Sequence, residues 1–309
     1  SMVELEILDW KEAEEGIYPK SQLFEAPWLE WAKKYPLIWL DMPLTWERRR
    51  KNKTRDIPID VIEEEYPSYY LQNFHHQTDG YLSAHSAEIY DLQVEILFNG
   101  TADSMRRRVL APLKSGLRKS ISQNNKKARV LDIATGTGFT AFESSKVSKK
   151  VLALDIAKEM INQAKNLAKE KRITNIQFVI ASADNLPYKN NYFDLITCRT
   201  GTHHFGNFEK SLMEMHRTLK DNGTLIISDT ITSEDEDLSS WHQKVEIMRD
   251  PSHQSNYSIE SWKEFFNNLK FEATKIILTS VKLTLDDWMT ISGTPPAIQK
   301  ELRKIWINS

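Results

Sequence analysis

Cysteine is almost missing: Cys198 is the single thiol in 309 residues. One thiol excludes an intramolecular disulfide framework and a multi-cysteine metal site, and it fits a reducing compartment, so a cytoplasmic protein is expected. Long hydrophobic runs are missing too. No apolar stretch approaches the roughly twenty residues of a membrane-crossing helix, and the N-terminus has no signal-peptide pattern. Nor is there an excess of one charge, since 41 basic residues face 43 acidic ones for a net −2 at pH 7. That balance argues against nucleic-acid binding by bulk electrostatics. The triplet Arg106-Arg107-Arg108 reads most simply as a solvated helix face, and the run Arg48-Arg49-Arg50-Lys51-Asn52-Lys53 as an exposed loop. At 40 % hydrophobic content the chain can fill a proper core, in one large domain or two small ones.

What is present centres on ARVLDIATGTGFT, residues 128–140. Its front half is a short β-branched run suited to a strand buried on both faces. Thr135-Gly136-Thr137-Gly138 then makes a glycine turn into a helix start, where a missing Cβ lets the backbone reach φ > 0 and lets a ligand touch the main chain. Tight turns also use glycine pairs for no ligand at all. The next run, Val151-Leu152-Ala153-Leu154-Asp155, ends in a carboxylate about twenty residues past the glycines, where folds of this kind bind ribose hydroxyls.

Periodicity predicts strands over 130–134, 151–155, 176–180, 193–198, 223–228 and 273–278, with helices over 140–147, 158–170, 208–219 and 259–268. The run 220–223 reads as a turn, and 288–307 as a further helical stretch. This alternation is a doubly wound, mostly parallel α/β sheet. Residues 1–70 differ. They hold five of the nine tryptophans (Trp10, Trp28, Trp31, Trp39, Trp46) and prolines at 19, 27, 36, 43, 58 and 67. Prolines at that density predict short helices, and the tryptophans are expected to bury against the main domain. A separate module or dimerisation arm is the alternative. Ser83 or Ser86 can cap a helix carrying Ile89, Leu92, Val94, Ile96 and Leu97, and a second helix is expected over 102–119. Before the cap lies a loop dense in aromatic and hydrogen-bonding groups, from Tyr69 to Tyr81, which reads either as a lid or as a packed connector. The expected division is a Trp/Pro-rich N-terminal wrap (1–70), a helical lid (71–120), a cofactor-binding domain (121–285) and a helical segment (286–309).

The succession LDIATGTG, LALD, ASADNLPYKNNYFDLITCRTGTHHF and MHRTLKDNGTLIISDTI resembles class I S-adenosylmethionine-dependent methyltransferases. Within them it is similar to the methyltransferase type 11 group that includes the ubiquinone and menaquinone C-methyltransferases. The resemblance covers residues 127–300, including RDPSHQSNYSIESW at 249–262 and GTPP at 293–296. It implies a Rossmann-like fold and S-adenosylmethionine as cofactor. Asp132, Ala134, Thr135, Gly136 and Gly138 would hold its methionine part, Asp155 its ribose, and Ile156 and Met160 would flank the adenine. Asp184 would accept a hydrogen bond from the adenine amino group, with Ala183 and Asn185 beside it at the cofactor. Arg199 and Thr200 would fall where the strand opens on the methyl group; on the lid, apart from the resemblance, Tyr81 is a candidate to touch the cofactor carboxylate. Ala134 departs from the glycine of many members. The closing antiparallel strand of such sheets has no candidate after residue 285, so either the sheet is short by a strand or the chain is a fragment.

Methyl transfer from a sulfonium is an in-line displacement, so alignment and exclusion of water matter most. No metal is required in principle. A hydroxyl or acidic-carbon acceptor loses a proton, and histidine suits its removal. His203, His204 and His253 are candidates; His253 is favoured, with Asp250 or Arg249 orienting it, against the reading of 250–252 as a helix-stop turn. His75 is a further candidate. A metal-dependent variant would need clustered carboxylates, whereas Asp229 stands alone and Asp235, Glu236 and Asp237 read as a solvated stretch. The expected protein methylates a small, partly aromatic or lipophilic acceptor at O or C, with no metal, nucleic acid or membrane span, and is compatible with a homo-oligomer. Three alternatives stay open: a non-methylating regulatory subunit of the same fold, a protein or RNA methylase, and a dinucleotide oxidoreductase, although Ala141 takes the place of its third glycine.

Overall fold

The computed structural model describes residues 2–51, 53–74, 78–124, 128–279, 284–286, 289 and 294–307. Helices α1 (Met2–Glu14) and α2 (Trp28–Arg50) come first, followed after an irregular stretch by α3 (Ala84–Leu97), α4 (Ala102–Arg107) and α5 (Leu110–Asn124). Ser83 caps α3, its side chain accepting the Ser86 N–H, as anticipated. The helix expected over 102–119 is instead two. Pro112 has no N–H to give the carbonyl four residues back, at Arg108, and its ring crowds that carbonyl, so α4 stops there and α5 starts with the proline in its first turn.

Strand and helix then alternate: β1 (Arg129–Ile133), α6 (Phe139–Ser145), β2 (Lys150–Asp155), α7 (Lys158–Glu170), β3 (Ile176–Ile180), β4 (Phe193–Arg199), α8 (Phe208–Thr218), β5 (Leu219–Ser228), α9 (Glu236–Arg249), α10 (Ile259–Asn268) and α11 (Pro296–Ile307). The five strands are all parallel, in the order β3-β2-β1-β4-β5. Val130, Leu131, Val151, Ala153, Leu195 and Ile196 are buried on both faces of the sheet, which explains their unbroken apolar runs. The order reverses between β1 and β4, and the crevice at a parallel sheet's carboxyl edge opens at such a reversal.

Several expectations need correcting. Residues 273–278 form no strand, and Ile276, Ile277 and Leu278 stand exposed; strand propensity needs a partner edge and a covered face to be realised. Residues 280–283 and His75 lie outside the described residues. The turn at 220–223 survives as an irregularity inside β5, whose pairing jumps from Phe193↔Leu219 to Leu195↔Thr224. The acidic stretch at 235–237 is solvent-exposed as expected, and it also starts a helix. Asp235 accepts the Leu238 N–H as its cap, and Glu236 and Asp237 sit in the first turn, where the helix dipole favours anions.

The N-terminal extension joins the main core through Ala13 and Tyr18, which pack with Leu110, Leu113 and Leu117. Its tryptophans do not follow. Trp28 is 70 % exposed, and Trp39 and Trp46 are each 56 % exposed. Pro36 and Pro43 lie inside the 23-residue α2. Both are on its exposed side, as are Ala32 and Trp39, so the carbonyls they leave unpaired can be met by solvent and the helix continues. The arginine triplet is not solvated either. Arg107 Nη2 meets Asp9 Oδ2 at 2.6 Å and Arg108 Nη2 meets Asp9 Oδ1 at 2.5 Å, while Arg106 pairs with Asp91 and Asp103. Asp9 is fully buried and also accepts the Tyr18 hydroxyl. Arg48 belongs to α2 and is buried, with Nη2 donating to Thr78 Oγ1 at 3.0 Å.

Candidate functional site

Where β1 ends, the chain makes three left-handed steps: Ala134 (φ 52), Gly136 (φ 54) and Gly138 (φ 98). The two glycines serve different ends. A Cβ on Gly138 would sit 2.7 Å from the Phe142 ring, so packing demands glycine there. A Cβ on Gly136 would meet nothing within 4 Å, because that position faces open space. Asp132 lies beneath the turn, fully buried, accepting the hydroxyls of Thr135 (2.6 Å) and Thr197 (2.7 Å) and so tying β1, β4 and the turn together. Burial pushes its carboxyl up to about 6.

Asp155, at the end of β2, accepts the Gly136 N–H at 2.8 Å on one oxygen and the Ala157 N–H at 2.9 Å on the other. Burial raises its pKa, and each oxygen keeps a further lone pair. Beyond β3 the chain presents Ala181, Ser182, Ala183 and Asp184 to the same space. Beyond β4 it presents Thr200 (φ 52), a strained conformation for a β-branched residue, and then Gly201. An added Cβ on Gly201 would stand 2.7 Å from the Ala134 Cβ. Gly201→Ala is therefore expected to destabilise the fold by roughly 1–3 kcal/mol. Ala134→Gly in the same chain removes the clashing methyl and the left-handed strain and should restore the parent's urea midpoint; failure to recover would assign the cost elsewhere.

Asp229, after β5, holds the turn that follows. Its Oδ2 accepts the N–H groups of Gly201 (3.1 Å) and Thr202 (2.7 Å) and the Thr202 hydroxyl (2.6 Å), and its Oδ1 accepts His203 Nδ1–H at 2.5 Å. Burial alone would push His203 down and Asp229 up. Their charge pairing and hydrogen bond more than offset it, so His203 is raised and Asp229 lies well below the usual carboxylate range. His203 is thus a strut held by Asp229. His204, one residue on, faces the cleft, its Nδ1–H donating to the Ser252 carbonyl at 2.9 Å. In the neutral ring that bond leaves the lone pair on Nε2.

A roof closes this space. Tyr69, Tyr70, Phe74, Tyr81 and Tyr90 line it with rings in mutual contact, Tyr70–Phe74 at 4.5 Å, Phe74–Tyr81 at 5.5 Å and Phe74–His204 at 5.2 Å. Asn73 pins the roof by exchanging two hydrogen bonds with the Asp56 backbone. Asp91 on α3 latches it to the glycine turn, accepting the Thr137 hydroxyl at 3.0 Å and Arg106 Nη2 at 3.0 Å. The cleft is partly open to solvent and lined mostly by aromatic and aliphatic side chains with a few polar groups, the character of small-molecule sites.

Of the residues singled out from the sequence, the structure brings Ala134, Gly136, Asp155, Ile156, Met160, Ala183, Asp184, Tyr81 and His204 to one cavity. Asp132, Thr135 and Gly138 support it from behind. Asn185 is exposed beside it, and Arg199 stands next to the lining Thr200, with a covered Nε that has no partner among the described residues. Arg249, Asp250 and His253 are not brought to the cavity wall. Arg249 pairs with Glu246, Asp250 accepts the Ser252 N–H and hydroxyl in a helix-stop turn, and His253 is buried against His203 with burial pushing it down to about 4. Sequence reading overlooked Tyr90 and Asp91, which lie inside the stripe Ile89, Leu92, Val94, Ile96 and Leu97; adjacent positions of a helix face different neighbours, so a tyrosine and a carboxylate side by side there were the available signal. Among the described residues no group of His, Cys, Asp or Glu could hold a metal ion.

A family model described as Methyltransferase domain matches residues 124–277. The chain is 33 % identical over 174 residues to the protein called uncharacterized methyltransferase YcgJ from Bacillus subtilis (strain 168), spanning 56 % of this chain and 69 % of that protein. It is 30 % identical over 182 residues to the ubiquinone/menaquinone biosynthesis C-methyltransferase UbiE of Francisella tularensis subsp. novicida, spanning 58 % and 66 %. The crystal structure of YcgJ superposes with a TM-score of 0.54 at 31 % identity, over 61 % of this chain and 81 % of that one.

Proposed function

Since this chain belongs to the methyltransferase domain family, we propose that it methylates a small, flat or lipophilic acceptor held beneath the aromatic roof, with S-adenosylmethionine as donor. The observation that carries this reading is the open space in front of Gly136, bounded by Asp155 and Asp184. Backbone that approaches a ligand without a Cβ, beside a carboxylate with lone pairs to spare, suits an adenosine. Asp155 would accept the ribose hydroxyls, Ile156, Met160 and Ala183 would pack on the adenine, and Asp184 would accept its amino group. Arg199 and Tyr81 are the groups for the carboxylate end. Bound, the cofactor supplies a methyl group on a positively charged sulfur.

The chain's own part is positioning, exclusion of water and removal of one proton. Tyr70 and Tyr81 have pKa values raised well above 10 by burial, so they line the roof as neutral, hydrogen-bonding walls. His204 Nε2 is the base this geometry favours, in place of His253, which lies behind His203. In this reading residues 71–120 act as the lid and 1–70 as a wrap over the cofactor domain. The single buried thiol, Cys198, accords with a cytoplasmic setting.

The reading is tested by incubating the protein with methyl-labelled S-adenosylmethionine and a small-molecule extract. Label should appear in a low-mass product; label confined to protein or RNA, or calorimetry preferring a nicotinamide dinucleotide, overturns it. His204→Ala should lower the initial rate about 100-fold while leaving cofactor affinity unchanged by calorimetry. An unchanged rate would remove His204 from the chemistry.

A further inference from the structure

Helix α2 buries polar groups and exposes large apolar ones. On the side turned to the protein Asp41, Thr45 and Arg48 are buried, with Thr45 Oγ1 3.1 Å and Arg48 Nη2 3.0 Å from Thr78 Oγ1. Around the rest of the helix Trp28, Leu29, Trp39, Leu40, Leu44 and Trp46 are each more than half exposed, up to 84 % for Leu29. Surface helices of soluble proteins turn polar side chains outward, and exposed apolar surface of this kind marks something that covers it.

The charges around the face indicate what. Residues 28–53 carry seven basic and three acidic side chains in a chain whose net charge is −2; with the buried Arg48 and Asp41 set aside, six basic and two acidic remain. Arg50, Lys51 and Lys53 are exposed where the aromatic stripe ends, Lys51 in an exposed pair with Glu47. Tryptophan and leucine on one face with lysine and arginine beside them are the chemistry of a helix lying in the boundary of a bilayer, and the basic flank complements anionic headgroups. A second copy of this chain fits less well, because a two-fold contact would set the positively charged segment against itself. No helix of the described residues is long and apolar enough to cross a membrane, so the contact is with the surface. We infer that α2 seats this protein on anionic phospholipid bilayers, aromatic face inward and about 35 Å of helix flat in the headgroup layer. Because α2 packs on α3, whose Tyr90 lines the cleft, seating brings the roof to the membrane. The inference stands apart from methyl transfer and does not depend on it.

The full chain is sedimented with vesicles of phosphatidylcholine alone and of phosphatidylcholine mixed with phosphatidylglycerol. Binding to the mixed vesicles, a blue shift of tryptophan emission and weakening by added salt are expected. The double variant Trp39→Ser, Leu40→Ser removes only exposed side chains and should keep the parent's melting curve and its affinity for S-adenosylhomocysteine while binding vesicles about tenfold more weakly. No sedimentation with the mixed vesicles at low salt, or equal binding by the double variant, overturns the inference. So does a dimer that the double variant breaks in the ultracentrifuge without any vesicle binding, which would assign the face to a second copy.

Discussion

Asp155→Ala is expected to weaken S-adenosylhomocysteine binding by about 10²–10⁴-fold while leaving the empty protein nearly as stable as its parent. The two parts follow from one position. Two ribose hydroxyls donating to a carboxylate contribute about 1.5–3 kcal/mol each, and alanine accepts neither. The stability side has opposing terms. Alanine deprives the N–H groups of Gly136 and Ala157 of their acceptor, but both border an open cleft where solvent can replace it. It also removes a carboxyl whose pKa burial raises above its ordinary 3.8. A group raised in this way contributes stability that is complete below that ordinary value and is lost as pH rises through the folded value. Toward alkaline pH the carboxyl is thus a cost to the empty fold, and its removal offsets the lost hydrogen bonds. Titration calorimetry and thermal melts near pH 7.5 separate the two effects; an affinity change under tenfold would mean that no ribose is gripped here.

Asp229→Ala should do the opposite, damaging the fold first. It strips the acceptor from two backbone N–H groups, a hydroxyl and the buried His203 cation. Leaving a buried charge without its partner costs about 3–5 kcal/mol, a loss on the order of 10 °C in melting temperature. Since the orphaned cation is the larger part, adding His203→Phe to Asp229→Ala should recover some of it. The pH dependence is specific. Asp229, lowered, contributes above its ordinary 3.8 and fails as pH falls. His203, raised, contributes fully below its ordinary 6.5 and fails as pH rises through its folded value. The gap in melting temperature between parent and variant should be widest near pH 5 and narrow in alkali; a gap independent of pH would show that the pair is not ionised.

These residues also show what could be read in advance. Gly136 and Asp155 are 19 residues apart and end adjacent strands of one β-α-β unit, so local pattern was enough to bring them together. Asp229 gathers donors from 26 to 28 residues upstream, and nothing in its neighbourhood sets it apart from any acid after a strand. The arginine triplet looked solvated because its counter-charge, Asp9, lies 98 residues away from Arg107. Among three candidate histidines the motif could not choose, since the choice depends on which ring the Ser252 carbonyl turns toward the cleft. For α2 composition was legible and orientation was not. Which side faces inward is decided by Thr78, contributed by a loop 30 residues from Arg48.

The Asp9 hub makes the two ends of the architecture inseparable in practice. Arg107 and Arg108 lie beside the helix that leads straight into β1, and their neutralising carboxylate arrives from the first turns of the chain. A shortened protein beginning after α1 would carry two guanidinium groups facing an emptied socket, so the sheet and its cleft are not a portable unit that can be cut out and studied alone.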